Sequence, residues 1–260
     1  MPSDVAAACG AADWIVPDGL PPEAGALMTT RAGGVSAPPF DSLNLGERVG
    51  DDPAAVAANR ARFAAAIGGL PVWLHQVHGT RVVAVSAADA RAGTPIEADA
   101  SVTAERGVAC VVQVADCLPV LLAAPGGRAV AAAHAGWRGL AGGVLEAALA
   151  ALCERGGCAP GEVSVWLGPC IGPRRFEVGA DVVEAFGPGA AARFAASAEG
   201  ADGRPRWLAD LPGLARDRLT AAGVRRVSGG AWCTVEDSAR FFSFRRDRST
   251  GRLAAAIWRR

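Results

Sequence analysis

The sequence predicts a mixed α/β (α+β) protein, a single compact domain in which mixed β-sheets are flanked by helices. Three observations carry that expectation. Continuous apolar runs such as Val108–Val114 have the length and composition of strands buried on both faces. Amphipathic stretches with capping residues alternate with them, and one tight hairpin means the strands are not all parallel. No stretch reads as a linker or an internal repeat, so the domain is taken as residues 1–260.

Each element has its own signal. Residues 1–25 read as a loose arm with a short strand near 14–16. A second short strand at Met28 runs into the Gly33-Gly34 turn, and residues 40–46 are irregular. Asp52 as N-cap and Pro53 at the first helical position open a helix. Val56, Phe63 and Ile67 give that helix one apolar face, and Gly68-Gly69 ends it. Residues 72–74 form a strand that delivers His75-Gln-Val-His78, and residues 80–85 stay extended. Residues 86–98 are polar and small, the composition of a loop; order resumes over 99–103.

Within Val108–Val114, Cys110 is a packing residue. Residues 118–124 and 128–133 pair as a hairpin around Pro125-Gly-Gly127, and the second strand ends at His134. Leu140, Val144, Leu145, Ala148, Leu149 and Leu152 mark a helix ending near Gly156-Gly157. Residues 163–167 are a strand, 181–186 a short helix, and 187–206 a surface insertion rich in Ala, Gly and Arg. Asp210 and Pro212 open a last helix that Gly223 closes. Residues 224–228, 240–246 and 252–258 complete the set as strands.

Composition removes several function classes. Basic and acidic residues number 26 each, with no basic run, so neither nucleic acid nor a membrane surface is an expected partner. No apolar run is long enough to span a bilayer. Every basic residue is arginine, which rules out a Schiff-base lysine and a lysine-dependent P-loop. The 7 cysteines are odd in number and form no secreted disulfide pattern, and the first residues do not read as a charged n-region followed by a long apolar h-region. A reduced, cytoplasmic protein is expected. Nothing in the sequence fixes its oligomeric state.

The chemistry concentrates in His78, Cys117 and His134. The chain has 3 histidines, and His75, His78 and His134 all lie in motif-like stretches ending in Gly- or Pro-containing turns. A thiolate and two imidazoles are what a zinc site with an open fourth position uses, and strand ends can converge on one rim of a sheet. In an extended segment His75 and His78 would point to opposite faces, so one of them faces the site. Gly136-Trp-Arg-Gly139 is a strand-to-helix turn whose free amides suit an anion. Three other readings stay open. The residues are hydrogen-bonded packing groups; Cys117 is a nucleophile with His134 as base and Asp116 nearby; or the zinc is structural, with Cys170 or Cys233 as fourth ligand.

At these positions the chain resembles a known family. Residues 73–80 (WLHQVHGT), 115–122 (ADCLPVLL), 133–139 (AHAGWRG), 168–172 (GPCIG) and 241–246 (FFSFRR) carry the likeness. So do Thr250-Gly-Arg252, residues 30–36 and 42–46, and Asn59-Arg60. All are similar to the laccase-domain family, whose names include polyphenol oxidase, purine nucleoside phosphorylase and peptidoglycan editing factor. The resemblance implies a single-domain α/β protein with zinc on His78, Cys117 and His134. It implies phosphorolysis of adenosine, inosine and methylthioadenosine, plus adenosine deamination. Copper follows from the family label alone, since three histidines cannot furnish a multicopper site. For phosphate, Arg31, Arg138 and Arg245 are the candidates, because a guanidinium fork matches phosphate oxygens. Asn44 is a candidate for a sugar hydroxyl or the base. Phe176 and Phe244 stand where the family often has tyrosine, and Ser101 where leucine is usual. The alternative activity is an amidase that edits peptidoglycan precursors with the same metal or with Cys117.

Overall fold

Side-chain parity along a few long strands decides how the layers stack. The computed structural model describes residues 14–260, so most of the expected N-terminal arm lies outside the described residues. In chain order the elements begin β1 (Ala24–Met28), α1 (Pro53–Ala66), β2 (Leu70–Val72), β3 (Leu74–His75), β4 (Val82–Ala84), α2 (Ala87–Ala92) and β5 (Ile96–Glu97). They continue with β6 (Ala100–Thr103), β7 (Val108–Val114), β8 (Leu118–Ala123), β9 (Val130–Ala135), α3 (Trp137–Gly142), α4 (Val144–Gly156) and β10 (Ser164–Leu167). The last third holds β11 (Glu177–Val178), α5 (Ala180–Phe186), β12 (Phe194–Ala196), β13 (Trp207–Ala209) and α6 (Leu211–Ala221). It ends with β14 (Arg226–Gly229), α7 (Phe244–Asp247) and β15 (Leu253–Arg259).

Two mixed sheets dominate. One has four strands in the order β1-β15-β7-β2; the other has six, β14-β10-β8-β9-β6-β4. In each, antiparallel pairs are joined to parallel ones at an edge, as β2 on β7 and β4 on β6 show. Val108, Cys110, Val112 and Val114 of β7 face the same core as Leu121 of β8 and Val130 and Ala132 of β9. The sheets therefore pack face to face. Ala109 and Val111 point the other way, with Ala254 and Ala256, onto Phe63, Ala66 and Ile67 at the end of α1. Val120 and Leu122 join a third core with Leu145, Leu149 and Leu152 of α4 and Leu214 and Leu219 of α6. The order is helix, sheet, sheet, helix, and the mixed α/β class expected from the sequence is the one observed. Close approach needs small residues. Gly25 pairs with Trp258 across β1 and β15, and a Cβ there would lie 2.2 Å from the indole. No described helix is long and apolar enough to cross a membrane.

Several expectations change. Residues 87–92 are a helix, not loop, because Ser86 and Asp89 form a reciprocal capping box, with the Ser86 amide donating to Asp89 at 2.8 Å. The strand expected at 72–74 breaks at Trp73, so that β2 joins β7 while β3 joins β5. The helix through 140–152 is two helices, since Gly143 takes φ 99° between α3 and α4. The insertion at 187–206 contributes β12 to a small sheet with β11 and β13. Residues 240–246 are not a strand. Ser243 accepts from the Arg246 amide at 3.2 Å and starts the single turn α7.

Phe63 is fully buried between Trp14 and Trp73, with ring centroids 6.2 and 5.5 Å away. Phe63→Ala should lower unfolding free energy by about 3–5 kcal/mol, read from urea denaturation.

Candidate functional site

His78, Cys117 and His134 meet at one end of the hairpin. His134 is the penultimate residue of β9, on the face that carries Val130 and Ala132, and is 3% exposed. Leu118 pairs with Ala135, so Cys117 stands one residue beyond the last rung of the β8/β9 ladder. His78 comes from the turn after β3 and is exposed. One ligand atom from each residue lies within 4.8 Å of the others, and Cys117 Sγ is 3.7 Å from His78 Nε2. The two imidazoles sit edge to face with centroids 4.8 Å apart. Gly136 closes the site from behind. A Cβ there would lie 2.8 Å from the His78 ring and 3.1 Å from the sulfur.

Two residues here have backbone conformations that side chains disfavour, His78 at φ 62° and Asp116 at φ 92°. Each is held by a buried carboxylate. Asp99 is fully buried and accepts the amides of Val77 at 3.2 Å, His78 at 2.9 Å and Gly79 at 2.7 Å. It also accepts Nδ1 of His134 at 2.9 Å. One carboxylate thus sets the His78 turn and turns Nε2 of His134 toward the sulfur. Asp116 does the same for the Cys117 turn. It accepts Thr234 Oγ1 and the Arg245 amide, both at 2.6 Å, while its carbonyl accepts the Ile171 amide.

The electrostatics follow from this arrangement. Burial pushes the Cys117 thiol up, but the charge and hydrogen bonds of His134, with those of His78, outweigh it and bring the thiol down to about 6. Burial pulls His134 down, yet the Cys117 thiolate and the Asp99 carboxylate lift it to about 9. Burial also works against the Asp99 carboxylate, and its hydrogen bonds from His134, Gly79 and Val77 still hold it below the usual range. Between those two values, about 6 and about 9, the cluster is a Cys117 thiolate paired with a protonated His134, with His78 alongside; once His134 gives up its Nε2 proton, the three side chains are a donor set suited to a divalent ion.

His78, Cys117 and His134 all line a cleft of about 430 Å³. His75 and His78 both line it. The expected opposition of the two rings fails because the strand ends at His75 and the chain turns. Gln76 and Gln113 brace one wall through paired bonds between the Gln76 side chain and the Gln113 backbone, at 2.8 and 2.7 Å. Arg48, Arg60, Trp73, Phe244 and Arg252 also line it.

The anion candidates lie elsewhere. Arg31 pairs with Asp41 and reaches the Ser238 carbonyl. Arg138 is exposed, over the Trp137 ring at 4.3 Å. Arg245 bonds the Glu177 carbonyl and covers the Phe176 ring at 5.3 Å. Asn44 is fully buried and bonds Gly46, Asp51 and the Arg252 amide. None of the four lines the cleft. The carboxylate on His134 is Asp99 and not Asp116, whose oxygens are occupied. Among the described residues, the group that could hold a metal has three members and includes neither Cys170 nor Cys233. Those two are partners in a single backbone bridge, where the Gly172 amide donates to the Cys233 sulfur. Sequence reasoning missed Asp99, Arg48 and Arg252. Arg252 was within reach, since it sits in the motif Thr250-Gly-Arg252.

Comparison with known proteins gives one picture. Residues 25–260 match the family model described as multi-copper polyphenol oxidoreductase laccase. A protein of Pseudomonas aeruginosa named purine nucleoside phosphorylase is 51% identical over 247 residues, covering 94% of this chain and 98% of that one. Purine nucleoside phosphorylase YfiH of Escherichia coli is 46% identical over 250 residues, covering 94% and 96%. Among solved structures, Neisseria meningitidis protein NMB0706 superposes with a TM-score of 0.86 at 47% identity, covering 95% of this chain and 99% of that one. YlmD from Geobacillus stearothermophilus gives a TM-score of 0.83 at 37% identity, covering 92% and 93%.

Asp99→Asn replaces an acceptor-only carboxylate with an amide that offers one oxygen to four N–H donors. If the cluster holds a divalent ion, affinity for added zinc, measured by competition with a chromogenic chelator, should fall about 10–100-fold while the far-ultraviolet spectrum is kept.

Proposed function

Since the chain belongs to the multi-copper polyphenol oxidoreductase laccase family, we propose that it is a purine nucleoside phosphorylase that works with zinc held by His78, Cys117 and His134. The observation that carries this reading is the three-ligand cluster open to a cleft, in a chain about half identical to relatives named for that activity. The cleft volume lies within the usual range for small-molecule sites. Adenosine, inosine and methylthioadenosine are the substrates, with phosphate, and adenosine deamination is a side reaction. The copper in the family label does not fit the residues. A multicopper oxidase needs imidazoles for a type 1 site and a trinuclear cluster, and this chain has 3 histidines in all.

The chain's own groups have distinct tasks. Asp99 takes the Nδ1 hydrogen bond of His134, which leaves Nε2 as the nitrogen beside the Cys117 thiolate and the one whose proton a bound metal would displace. When bound, zinc supplies a Lewis acid at the inner end of the cleft. Phe244, 47% exposed, offers a ring face to a purine, though without the hydroxyl a tyrosine would add. In phosphorolysis a phosphate oxygen bonds C1′ as the C1′–N9 bond breaks. The base leaves with a proton, and the 1-phosphate of the sugar remains: ribose 1-phosphate from adenosine or inosine, its 5-methylthio counterpart from methylthioadenosine. In deamination, water adds at C6 and ammonia leaves. Six described cysteines are free, in keeping with a reducing, cytoplasmic setting.

A second reading has a specific observation behind it. A thiol brought down to about 6 beside His134, with Asp99 behind the imidazole, is also a nucleophile arrangement for amide cleavage. One experiment separates the two. Incubation with adenosine and phosphate should give adenine and ribose 1-phosphate, with some inosine, by chromatography. Chelator should abolish turnover, zinc should restore it, and Cys117→Ala should lose metal and activity together. Chelator-resistant activity lost on thiol alkylation would favour the nucleophile. No nucleoside turnover alongside amide cleavage of a muropeptide would overturn the phosphorylase.

A further inference from the structure

The cleft carries more positive charge than its own walls answer. Three arginines line it, Arg48, Arg60 and Arg252, against one carboxylate, Glu47. Glu47 is committed to Arg60, which also donates to the Leu45 carbonyl at 2.9 Å and lies over Trp73 at 4.1 Å. Arg252 is different. It is half-buried, and one nitrogen, Nη1, donates to the carbonyls of Thr250 and Gly251 at 3.0 and 3.1 Å. Among the described residues no carboxylate pairs with it, and its Nε and Nη2 donors have no acceptor. Burial lowers its pKa, with Cys117 and Asp116 as the nearby negative groups opposing that. Neither is bonded to it: the thiolate lies against His134 and His78, and the Asp116 oxygens accept from Thr234 and the Arg245 amide.

Nε and Nη2 of Arg252 are not among the buried polar atoms left without a partner, so they face the open cleft, where a fork that no carboxylate holds is placed to meet an anion from outside. The surroundings hold Arg252 in place. Asn44 Oδ1 accepts both the Arg252 amide at 2.8 Å and the Gly46 amide at 2.9 Å. Gly46 leaves room for the arginine stem, because a Cβ there would lie 2.7 Å from Arg252 Cγ. The Phe244 ring flanks the guanidinium at 5.9 Å. Arg48 is exposed on the same cleft and forms no ion pair among the described residues.

We propose that Arg252, joined by Arg48, forms the seat for inorganic phosphate in this cleft, with Asn44 as a positioning residue behind it. The assignment rests on the phosphorylase reading and moves the phosphate contacts away from Arg31, Arg138 and Arg245. The planar fork of Arg252 donates to two phosphate oxygens and leaves a third free to reach C1′.

The test uses the full, zinc-loaded chain. Arg252→Gln should raise the KM for phosphate about ten- to hundredfold while the KM for adenosine moves less than about twofold, since a charged hydrogen-bond partner is worth roughly 1.5–3 kcal/mol. Arg252→Lys should recover part of the loss, and Arg48→Gln, at an exposed position, should raise the phosphate KM by a smaller factor. Equal rises in both KM values, or no change in either, would overturn the assignment. Phosphorus NMR titration of inorganic phosphate gives an answer even if no nucleoside is turned over. Line broadening with the parent protein that is lost in Arg252→Gln supports the seat, and equal broadening in both refutes it. AMP is the control for source. Binding of AMP that is lost in Arg252→Gln, with no binding of free phosphate, would assign the site to a nucleotide's own phosphate and refute the co-substrate role.

Discussion

One buried carboxylate sets the geometry on which the rest depends. Asp99 takes three successive backbone amides from the His78 turn and the Nδ1 proton of His134. Four donors on two oxygens offset the burial of a charge that would otherwise be prohibitive. The two imidazoles are 56 residues apart in sequence (134 − 78), and Asp99 ties both to one point. It also lies directly before β6, whose Ala100 pairs with Ala133 of β9. The His134 amide itself donates to the Asp99 carbonyl at 2.7 Å. Sheet pairing and ligand orientation are thus one structure at this position.

Packing finishes what Asp99 begins. The face-to-face sheets place His134 toward the core between them, where it is almost fully buried. Gly136 lets the following turn lie against the sulfur and the His78 ring. The unfavourable φ at His78 and Asp116 is a local cost of roughly 1–3 kcal/mol each, offset by the hydrogen bonds of the two aspartates. On the far wall, Asn44 performs a similar service for Gly46 and Arg252. The cleft is therefore built from loops pinned by buried polar side chains, with long strands as their footing.

Local signals were legible in the sequence, and distant pairings were not. Asp52 and Pro53 marked α1, the apolar run marked β7, and the Pro125-Gly-Gly127 turn marked the hairpin, because each depends on neighbouring residues. The gathering of His78, Cys117 and His134 could be read because the histidines are few and each stands near the end of a strand. Asp99 could not, since its link to His134 spans 35 residues and exists only after β6 and β9 pair. Arg31 looked suited to an anion beside its glycines, but the fold brings Asp41 and the Ser238 carbonyl to it. Residues 240–246 look like a strand by composition, and the cap at Ser243 overrides that preference. The Ser86 and Asp89 cap was local and readable, and the small polar composition around it hid it.

The parity of β9 has a consequence for how this chain tolerates insertions and deletions. His134 and its flanking alanines alternate between opposite sides of one sheet, and β9 is hydrogen-bonded along both of its edges, to β8 and to β6. Removing a single residue from the connection between β8 and β9 would shift every rung by one place. The imidazole would then exchange sides with a methyl group and face the α4 layer. Length there is as much a part of the site's chemical identity as the ligands themselves.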